Sequence, residues 1–229
     1  MADLHGSGAI TTPHAHPAHH PRLQHHFYSL DQQLEASTLG MWVFLVTEIM
    51  FFGGLFMAYL VYRTWYFHDF EEASRLLNVW LGATNTIVLI FSSLTMALAV
   101  RSAQIGSRFG LLLNLILTML FGATFLVVKY FEYADKFAKG HVPGAHFIGT
   151  NGEQLFFSLY FCLTGLHAIH MVVGLGLMTF IFIMSAKGKY TPQWYTPVEI
   201  SGLYWHFVDI VWIFLFPLLY LIGGRYTLG

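Results

Sequence analysis

The chain has 229 residues, of which 56% are apolar and only 10% are Asp, Glu, Lys or Arg, whereas a soluble domain carries about 25% charged residues. The formal net charge is −1, and the mean hydropathy is +0.58. These values exclude a disordered chain, a nucleic-acid-binding protein and an ordinary soluble enzyme, and they indicate a membrane protein with several spans.

The first 38 residues differ from the rest of the chain in composition. They hold seven of the 13 histidines, interrupted by Pro13, Pro17 and Pro21. No basic segment is followed here by an apolar one, so a cleaved signal peptide is not predicted. We predict a flexible tail over residues 1–38. Histidine-rich tracts also bind metal ions weakly, and this second interpretation stays open.

Five segments are long and apolar enough to cross a membrane as helices of about 20 residues. All charged residues except Glu48 and Asp209 lie outside these segments, as the cost of placing charge in lipid requires. The predicted fold is therefore an all-α integral membrane bundle of five transmembrane helices, followed by a short tail at 225–229. The predicted spans are residues 39–62, 79–100, 109–128, 155–186 and 202–222.

The connections between the spans are short and leave no room for a soluble catalytic domain. The longest begins with residues 129–136, whose charges repeat with helical spacing on one side, so the third span is predicted to continue out of the membrane as a helix. Lys and Arg divide almost equally between the two sides of the membrane. The short loop with Arg101 and Arg108 favours a cytoplasmic N-terminus.

Glu48 is the only charged residue of the first span, and Phe44, Leu45, Phe51 and Phe52 lie one turn away from it. A carboxyl group in such surroundings either handles protons or contacts lipid, or it forms a hydrogen bond to a neighbouring helix that serves packing. The residues alone leave both interpretations open.

Two polar pairs with i, i+3 spacing lie in the last two spans. His167 and His170 are predicted to share one face of the fourth span. In the fifth, Asp209 can accept a proton from His206, or either group can clamp a neighbouring helix, and Asp209 is expected near one membrane face. Two histidines that bind one haem must lie at similar depth. Because His167 and His206 differ by about 15–20 Å when counted from the predicted span ends, no haem is predicted.

Small and hydroxyl-bearing residues are predicted to determine how the spans pack. Asn85 and the Ser92–Ser93 pair of the second span can hydrogen-bond between helices or to backbone carbonyls. The only cysteine, Cys162, lies in an apolar stretch and is predicted to be a small packing residue. Aromatic residues that flank the spans are predicted to form an interfacial belt; they are Trp65, Tyr66, Trp194, Tyr195, Tyr204 and Trp205.

Five blocks of the sequence, taken in order, resemble subunit III of the haem–copper respiratory oxidases. Tyr-Trp-His-Phe-Val-Asp at 204–209 resembles the start of that family's last helix, and residues 40–52 resemble its helix with an intramembrane glutamate, here Glu48. The other blocks are residues 85–93, Glu132–Tyr133 with the later Asn151–Gly152, and residues 164–170. The resemblance covers residues 38–224 and fits the five-helix bacterial form of the family.

The resemblance implies an accessory subunit that binds no metal itself. Haems and copper are expected in partner chains, which are oxidase subunits I and II, with a small subunit IV and a larger respiratory supercomplex as further candidates. Phospholipid is expected in a cleft between the first two and the last three spans. The spans hold only three histidines and one cysteine, which is too few for two haems, a copper ion and a dinuclear copper site.

The resemblance also implies residue roles and a location. The protein is expected in the bacterial inner membrane, where it supports proton uptake and the stability of the catalytic subunit during turnover. Glu48, His206 and Asp209 are the expected proton-related residues. Residues expected to pack helices or contact lipid head groups are Asn85, Glu132, His167, His170 and Trp205.

Two alternatives to a cytochrome c oxidase subunit remain. The first is subunit III of a quinol oxidase, although Glu48 and the Trp-His-Phe-Val-Asp block look more like the cytochrome c branch. The second is a small proton-coupled transporter, which predicts internal repeats or interrupted helices with a site at mid-membrane depth. The sequence shows no internal repeat.

Overall fold

The computed structural model describes residues 27–144, 147 and 149–222. These residues form six α-helices, five of which are long and apolar enough to cross a membrane, so the predicted all-α fold with five spans is confirmed. The spans are α1, α3, α4, α5 and α6, and α2 is a short helix that was not predicted. The helices are α1 Leu30–Trp65, α2 Phe67–Arg75, α3 Val79–Gln104, α4 Arg108–Ala138, α5 Asn151–Ala186 and α6 Thr196–Tyr220.

The first helix begins well before the first apolar residue of its span. The Ser29 side chain accepts a hydrogen bond from the backbone N–H of Gln32 and caps α1. The predicted tail boundary at residue 38 is therefore wrong, because hydropathy marks where lipid begins and not where the helix begins. The seven tail histidines and the predicted C-terminal tail at 225–229 lie outside the described residues.

Side-chain caps also fix the starts of the next three spans. Asn78 and Ser107 accept hydrogen bonds from the first turns of α3 and α4, and Thr150 forms a reciprocal capping box with Glu153 at the start of α5. Gly106 has φ of 76° and closes the tight turn between α3 and α4. Helix α4 runs unbroken to Ala138, which confirms the predicted helical continuation of the third span.

Helix α6 lies at the centre of the bundle: its backbone approaches those of α1, α2, α3 and α5, and side chains such as Trp212, against Phe125, connect it to α4. Helix α3 packs on α4 and α6, whereas α1 packs on α2, α5 and α6, and among the described residues its backbone does not approach that of α3. The predicted grouping of the first two spans is therefore wrong. Gly82 lets α3 approach α6 closely, because the rings of Phe216 and Tyr220 from α6 fill the space beside it. Phospholipid binding in a cleft stays a prediction.

Helix α1 touches the bundle along a single narrow stripe. Its buried residues are Leu45, Phe52 and Tyr59, which recur every seven residues as in a coiled-coil seam. The Tyr59 hydroxyl donates a hydrogen bond of 2.8 Å to the Leu218 carbonyl of α6. Most other side chains of α1 face outward, so this helix is held by few contacts and presents a large apolar surface.

Trp205 lies in the interior and not in the predicted interfacial belt. Its indole is fully buried, and Nε1 donates a hydrogen bond of 2.8 Å to Ser92 Oγ. Tyr204 is also buried, whereas Trp65 and Tyr66 are exposed as the belt requires. The belt prediction failed at 204 and 205 because α6 begins at Thr196 and so places these residues more than two turns inside the helix.

Cys162 is exposed on α5, so its predicted role as a packing residue is wrong. The neighbouring residues Leu163 and Thr164 turn inward instead. Sequence alone could not find this, because α5 is apolar on all sides and its pattern does not show which side faces the bundle.

We predict that adding a single methyl group at Gly174 lowers the stability of the bundle. A Cβ atom at this position would lie 2.8 Å from the Trp205 ring, and overpacking of this kind costs about 1–3 kcal/mol. We expect Gly174→Ala to lower the thermal unfolding midpoint of the detergent-solubilised protein. Gly176→Ala on the same helix is the control, because nothing lies within 4 Å of a Cβ there. Equal midpoints for the two variants would contradict this packing.

Candidate functional site

Glu48 and His170 form a polar contact between α1 and α5. Glu48 Oε2 lies 3.2 Å from His170 Nε2, and the two side chains are 20% and 17% exposed. The structure therefore supports a hydrogen bond to a neighbouring helix, one of the two interpretations left open for Glu48. The contact also explains why a carboxyl group is tolerated in the most weakly packed span.

The hydrogen bond made by the other ring nitrogen of His170, Nδ1, determines how Nε2 can bond to Glu48. Nδ1 lies 2.8 Å from the Leu166 carbonyl oxygen, which can only accept, so Nδ1 carries a hydrogen. Nε2 then either accepts a hydrogen from a protonated Glu48 or donates one to its carboxylate. In both cases one proton lies between the two side chains. The pair thus joins α1 to α5 through one hydrogen bond between polar side chains.

An apolar groove lies beside this pair. Its volume is about 380 Å³, and it is bounded by α1, α5 and α6. Tyr204 connects the groove to the pair, because its hydroxyl donates a hydrogen bond of 3.2 Å to the His170 carbonyl. The residues along the groove are Met41, Phe44, Ile169, His170, Val173, Leu177, Ile200, Ser201 and Tyr204.

We expect an apolar carbodiimide to label Glu48 in preference to the other intramembrane carboxyl group. The Glu48 side chain is 20% exposed, whereas Asp209 is 2% exposed. Peptide mapping after labelling of intact membranes checks this. Equal labelling of Glu48 and Asp209, or labelling confined to loop carboxylates, would contradict the placement of Glu48.

Lys129 and Glu132 form a buried ionic cluster with two tyrosines. Lys129 Nζ lies 3.1 Å from Glu132 Oε2, 3.1 Å from the Tyr160 hydroxyl and 2.9 Å from the Tyr220 hydroxyl. The three ammonium hydrogens therefore have three acceptors. Both tyrosines donate to Glu132 Oε1, at 2.9 and 2.6 Å. We call these four residues the Lys129 cluster; it ties α4 to α5 and α6.

The charged side of this part of α4 faces inward. Lys129, Glu132 and Lys136 are each no more than 4% exposed, whereas Tyr130 and Phe131 are 71% and 66% exposed. Spacing predicted one charged side but did not show that it is the buried one. The residues of the opposite face could have shown this, because they are aromatic, whereas the outer face of a solvated helix carries polar residues.

The end of α4 is anchored to the first half of the chain. Lys136 Nζ donates a hydrogen bond of 2.5 Å to the Leu76 carbonyl, which follows α2. Beyond the helix, His141 lies against the ring of Phe157. Burial, reinforced by the Lys136 charge, lowers the pKa of His141. The imidazole is therefore neutral at pH 7 and packs as an aromatic ring.

His167 turns to the interior, away from His170. Its ring lies between Phe125 and Trp212, with centroids 5.3 and 5.2 Å away, whereas His170 reaches α1. The predicted shared face is therefore wrong, because the rotation between positions i and i+3 is enough to give the two rings different neighbours. Neither nitrogen of His167 has a hydrogen-bond partner among the described residues, and the Asn85 amide is likewise buried without one.

Asp209 lies near the middle of α6 and not near a membrane face as predicted. The helix begins at Thr196, with Pro197 in its first turn, where proline is well tolerated. The transporter alternative requires a site at mid-membrane depth, and the expected position of Asp209 near a membrane face argued against it; the position near the middle of α6 removes that argument. His206 Nδ1 contacts Ser93 Oγ of α3 at 2.7 Å, and no hydrogen bond joins His206 to Asp209.

The predicted depth difference between His167 and His206 is too large. Gly174 packs directly on Trp205, so His206 is level with about residue 173, six residues from His167 and about 9 Å along the helix axis. The two rings nevertheless face different helices, because His206 contacts α3 and His167 contacts α4. The geometry does not bring them together.

The arrangement matches one protein family along nearly its whole length. The family model described as cytochrome c oxidase subunit III matches residues 24–224, which include all five spans. The chain belongs to the cytochrome c oxidase subunit III family. Membership replaces the lost depth argument against a transporter, and it makes this protein one subunit of a multi-subunit haem–copper oxidase.

This chain is similar to relatives named as subunit 3 of a cytochrome c oxidase and to relatives named as subunit 3 of a quinol oxidase. Cytochrome c oxidase subunit 3 of Corynebacterium diphtheriae is 36% identical over 192 residues, which cover 81% of this chain and 87% of that protein. Probable cytochrome c oxidase subunit 3 of Mycobacterium tuberculosis is 33% identical over 186 residues, with the same coverage. Quinol oxidase subunit 3 of Bacillus subtilis is 35% identical over 190 residues, 81% of this chain and 86% of that protein.

Proposed function

We propose that this chain is the accessory, non-catalytic subunit III of a bacterial cytochrome c oxidase. In this role it supports proton uptake by the metal-bearing catalytic subunit and keeps that subunit active during repeated turnover. The observation that carries the proposal is the hydrogen-bonded Glu48–His170 pair at the apolar edge of the bundle, and we assign the proton-related role to Glu48. The chain needs no metal for this role, and we place the haems and copper in oxidase subunits I and II.

The packing supports a structural contribution to the oxidase. The Lys129 cluster and Trp205 fix α3, α4, α5 and α6 to one another through buried hydrogen bonds. Helix α1 is held only along one stripe, so its outward face is suited to contact lipid or a partner chain. We propose that phospholipid acyl chains bind in the groove beside His170, which is apolar and open towards the membrane.

The proposed location is the bacterial inner membrane with the N-terminus in the cytoplasm. Arg101 lies in the last turn of α3 and Arg108 is the first residue of α4, and the Arg108 guanidinium donates to the Ala186 carbonyl at the end of α5. Cations at a helix C-terminus are favourable, and they favour the cytoplasmic side when they lie near span ends. A small subunit IV and a respiratory supercomplex are further partners of this proposal.

Removal of this chain tests the proposal directly. We expect an oxidase purified without it to begin turnover at a rate close to that of the full complex and then to lose activity over far fewer turnovers. The haem spectrum should be unchanged, because the metals lie in other chains. Equal persistence of activity with and without the chain would overturn the proposed role.

Quinol oxidation is the second candidate, and the 35% identity to a quinol oxidase subunit favours it. The two candidates differ in the electron donor and not in the role of this chain. Oxygen uptake by the purified complex with reduced cytochrome c, compared with a quinol, separates them. If the complex takes up oxygen with quinol and not with reduced cytochrome c, quinol replaces cytochrome c as the proposed electron donor.

A further inference from the structure

A cleft between α3 and α6 contains a carboxyl group that no described residue satisfies. The cleft has a volume of about 270 Å³. Asp209 lies at its base, is 2% exposed and has no hydrogen-bond partner on either oxygen. The lining residues are Leu89, Ile90, Ser93, Leu94, Ala97, His206, Asp209 and Ile213.

The polar neighbours of Asp209 are already engaged. The Ser93 hydroxyl is close enough to influence the carboxyl group, but its contact at 2.7 Å is with His206 Nδ1. A hydroxyl group has only one hydrogen to donate, so this side chain cannot satisfy two carboxyl oxygens. A buried acceptor left without a donor costs about 1–3 kcal/mol. At least one Asp209 oxygen therefore has no donor among the described residues.

The depth of the cleft restricts what that donor can be. Asp209 lies near the middle of α6, and Ser93 lies near the middle of α3. Half of a hydrocarbon core of about 30 Å separates this level from the lipid head groups. Acyl chains carry no hydrogen-bond donor. A lipid can therefore cover the rim of the cleft but cannot satisfy the carboxyl group at its base.

The rim suits a docking helix. Ile90, Leu94 and Ile213 are 51%, 54% and 44% exposed, and they surround the polar base with an apolar border. A polar centre inside an apolar rim is typical of an interface between transmembrane helices, where hydrogen-bonding side chains supply affinity and orientation.

We propose that this cleft docks a transmembrane helix of another oxidase subunit, which inserts a hydrogen-bond-donating side chain towards Asp209. The donor is a hydroxyl, amide, indole, guanidinium or ammonium group at mid-membrane depth. The inference rests on the proposed function, because it needs a partner helix in a multi-subunit oxidase. It adds the surface and the chemistry of the contact, and it gives Asp209 a docking role.

The test places a photoreactive amino acid at position 90 in the assembled oxidase, purified in mild detergent and then irradiated. We expect a cross-link to an apolar segment of another subunit that carries a donor side chain at that depth. In an Asp209→Leu background the cross-linked fraction should fall by at least about tenfold, as expected for loss of a hydrogen bond to a buried acceptor. Asp209→Asn keeps one acceptor oxygen and should retain most of the wild-type cross-linked fraction.

Leu120 on α4 provides a matched control, because it is 58% exposed on another side of the bundle. Its cross-links should not depend on Asp209. Cross-linking of position 90 to lipid alone, to a segment without a donor, or equally in the Asp209→Leu background would overturn the docking proposal. Absence of haem-bearing chains from the wild-type preparation would instead overturn the proposed function.

Discussion

Replacing Lys129 by Met is expected to destabilise the subunit by about 3–5 kcal/mol, because it leaves the Glu132 carboxylate buried without its cation. Both side chains are 4% exposed, so water cannot take the place of the ammonium group. The substitution also removes the group to which the Tyr160 and Tyr220 hydroxyls are bonded. Thermal unfolding of the purified complex, followed as loss of this subunit, measures the effect.

Two further variants make this prediction specific. Lys129→Met combined with Glu132→Gln removes the uncompensated charge and should recover most of the lost stability. Lys139→Met breaks an ion pair with Asp135 whose side chains are 58% and 47% exposed, and it should lower the unfolding temperature little because water and salt screen an exposed pair. If Lys129→Met were no worse than Lys139→Met, the Lys129 cluster would not be a buried element of the fold.

Trp205→Ala is expected to cost about 3–5 kcal/mol, the range for removing a large buried aromatic side chain. The indole fills the space between Gly122 of α4 and Gly174 of α5, two residues that have no side chain of their own to fill it. It also satisfies Ser92 on α3. Its loss therefore loosens three helices at once, and the assembled complex should unfold at a clearly lower temperature.

Trp65→Ala is the control for this second prediction. Trp65 is 70% exposed at the end of α1, so its truncation leaves no cavity in the bundle. We expect a small change in unfolding temperature for Trp65→Ala and a large one for Trp205→Ala. Equal effects would mean that Trp205 belongs to the interfacial belt and not to the core.

Composition predicted the fold class, and length predicted the number of spans. Both succeed because the free-energy cost of charge in lipid is large and acts on whole segments, so that Glu48 and Asp209 are the only charged residues within the predicted spans. The family could also be predicted, because motifs such as Trp-His-Phe-Val-Asp at 205–209 depend on residue identity and not on how the helices are oriented.

Helix ends were predicted less well than helix existence. The six residues from Thr196 to Ser201 belong to α6, but their weak hydropathy placed them outside the fifth span. This error shifted Asp209 towards a membrane face and exaggerated the depth difference between His167 and His206. A first-turn proline marks the true start of α6, and side-chain caps mark the starts of α1, α3, α4 and α5; both act independently of the lipid boundary.

The direction of each polar side chain was beyond what sequence could show. In a soluble helix, polar residues mark the outer face, but a transmembrane helix is apolar both towards lipid and towards its neighbours. The sequence therefore did not show that His170 meets Glu48 while His167 meets Trp212. It also did not show that the charged side of α4 is the buried one.

The central claim is that this chain works as one subunit beside metal-bearing partners in an oxidase. Its most direct test is to purify an affinity-tagged chain from membranes in mild detergent, identify the accompanying chains and record the optical spectrum. We predict that haem-bearing subunits travel with the chain in fixed proportion, and that the chain separated from them has no haem absorption. Recovery of the chain without haem-bearing partners, or stoichiometric haem on the separated chain, would contradict the account.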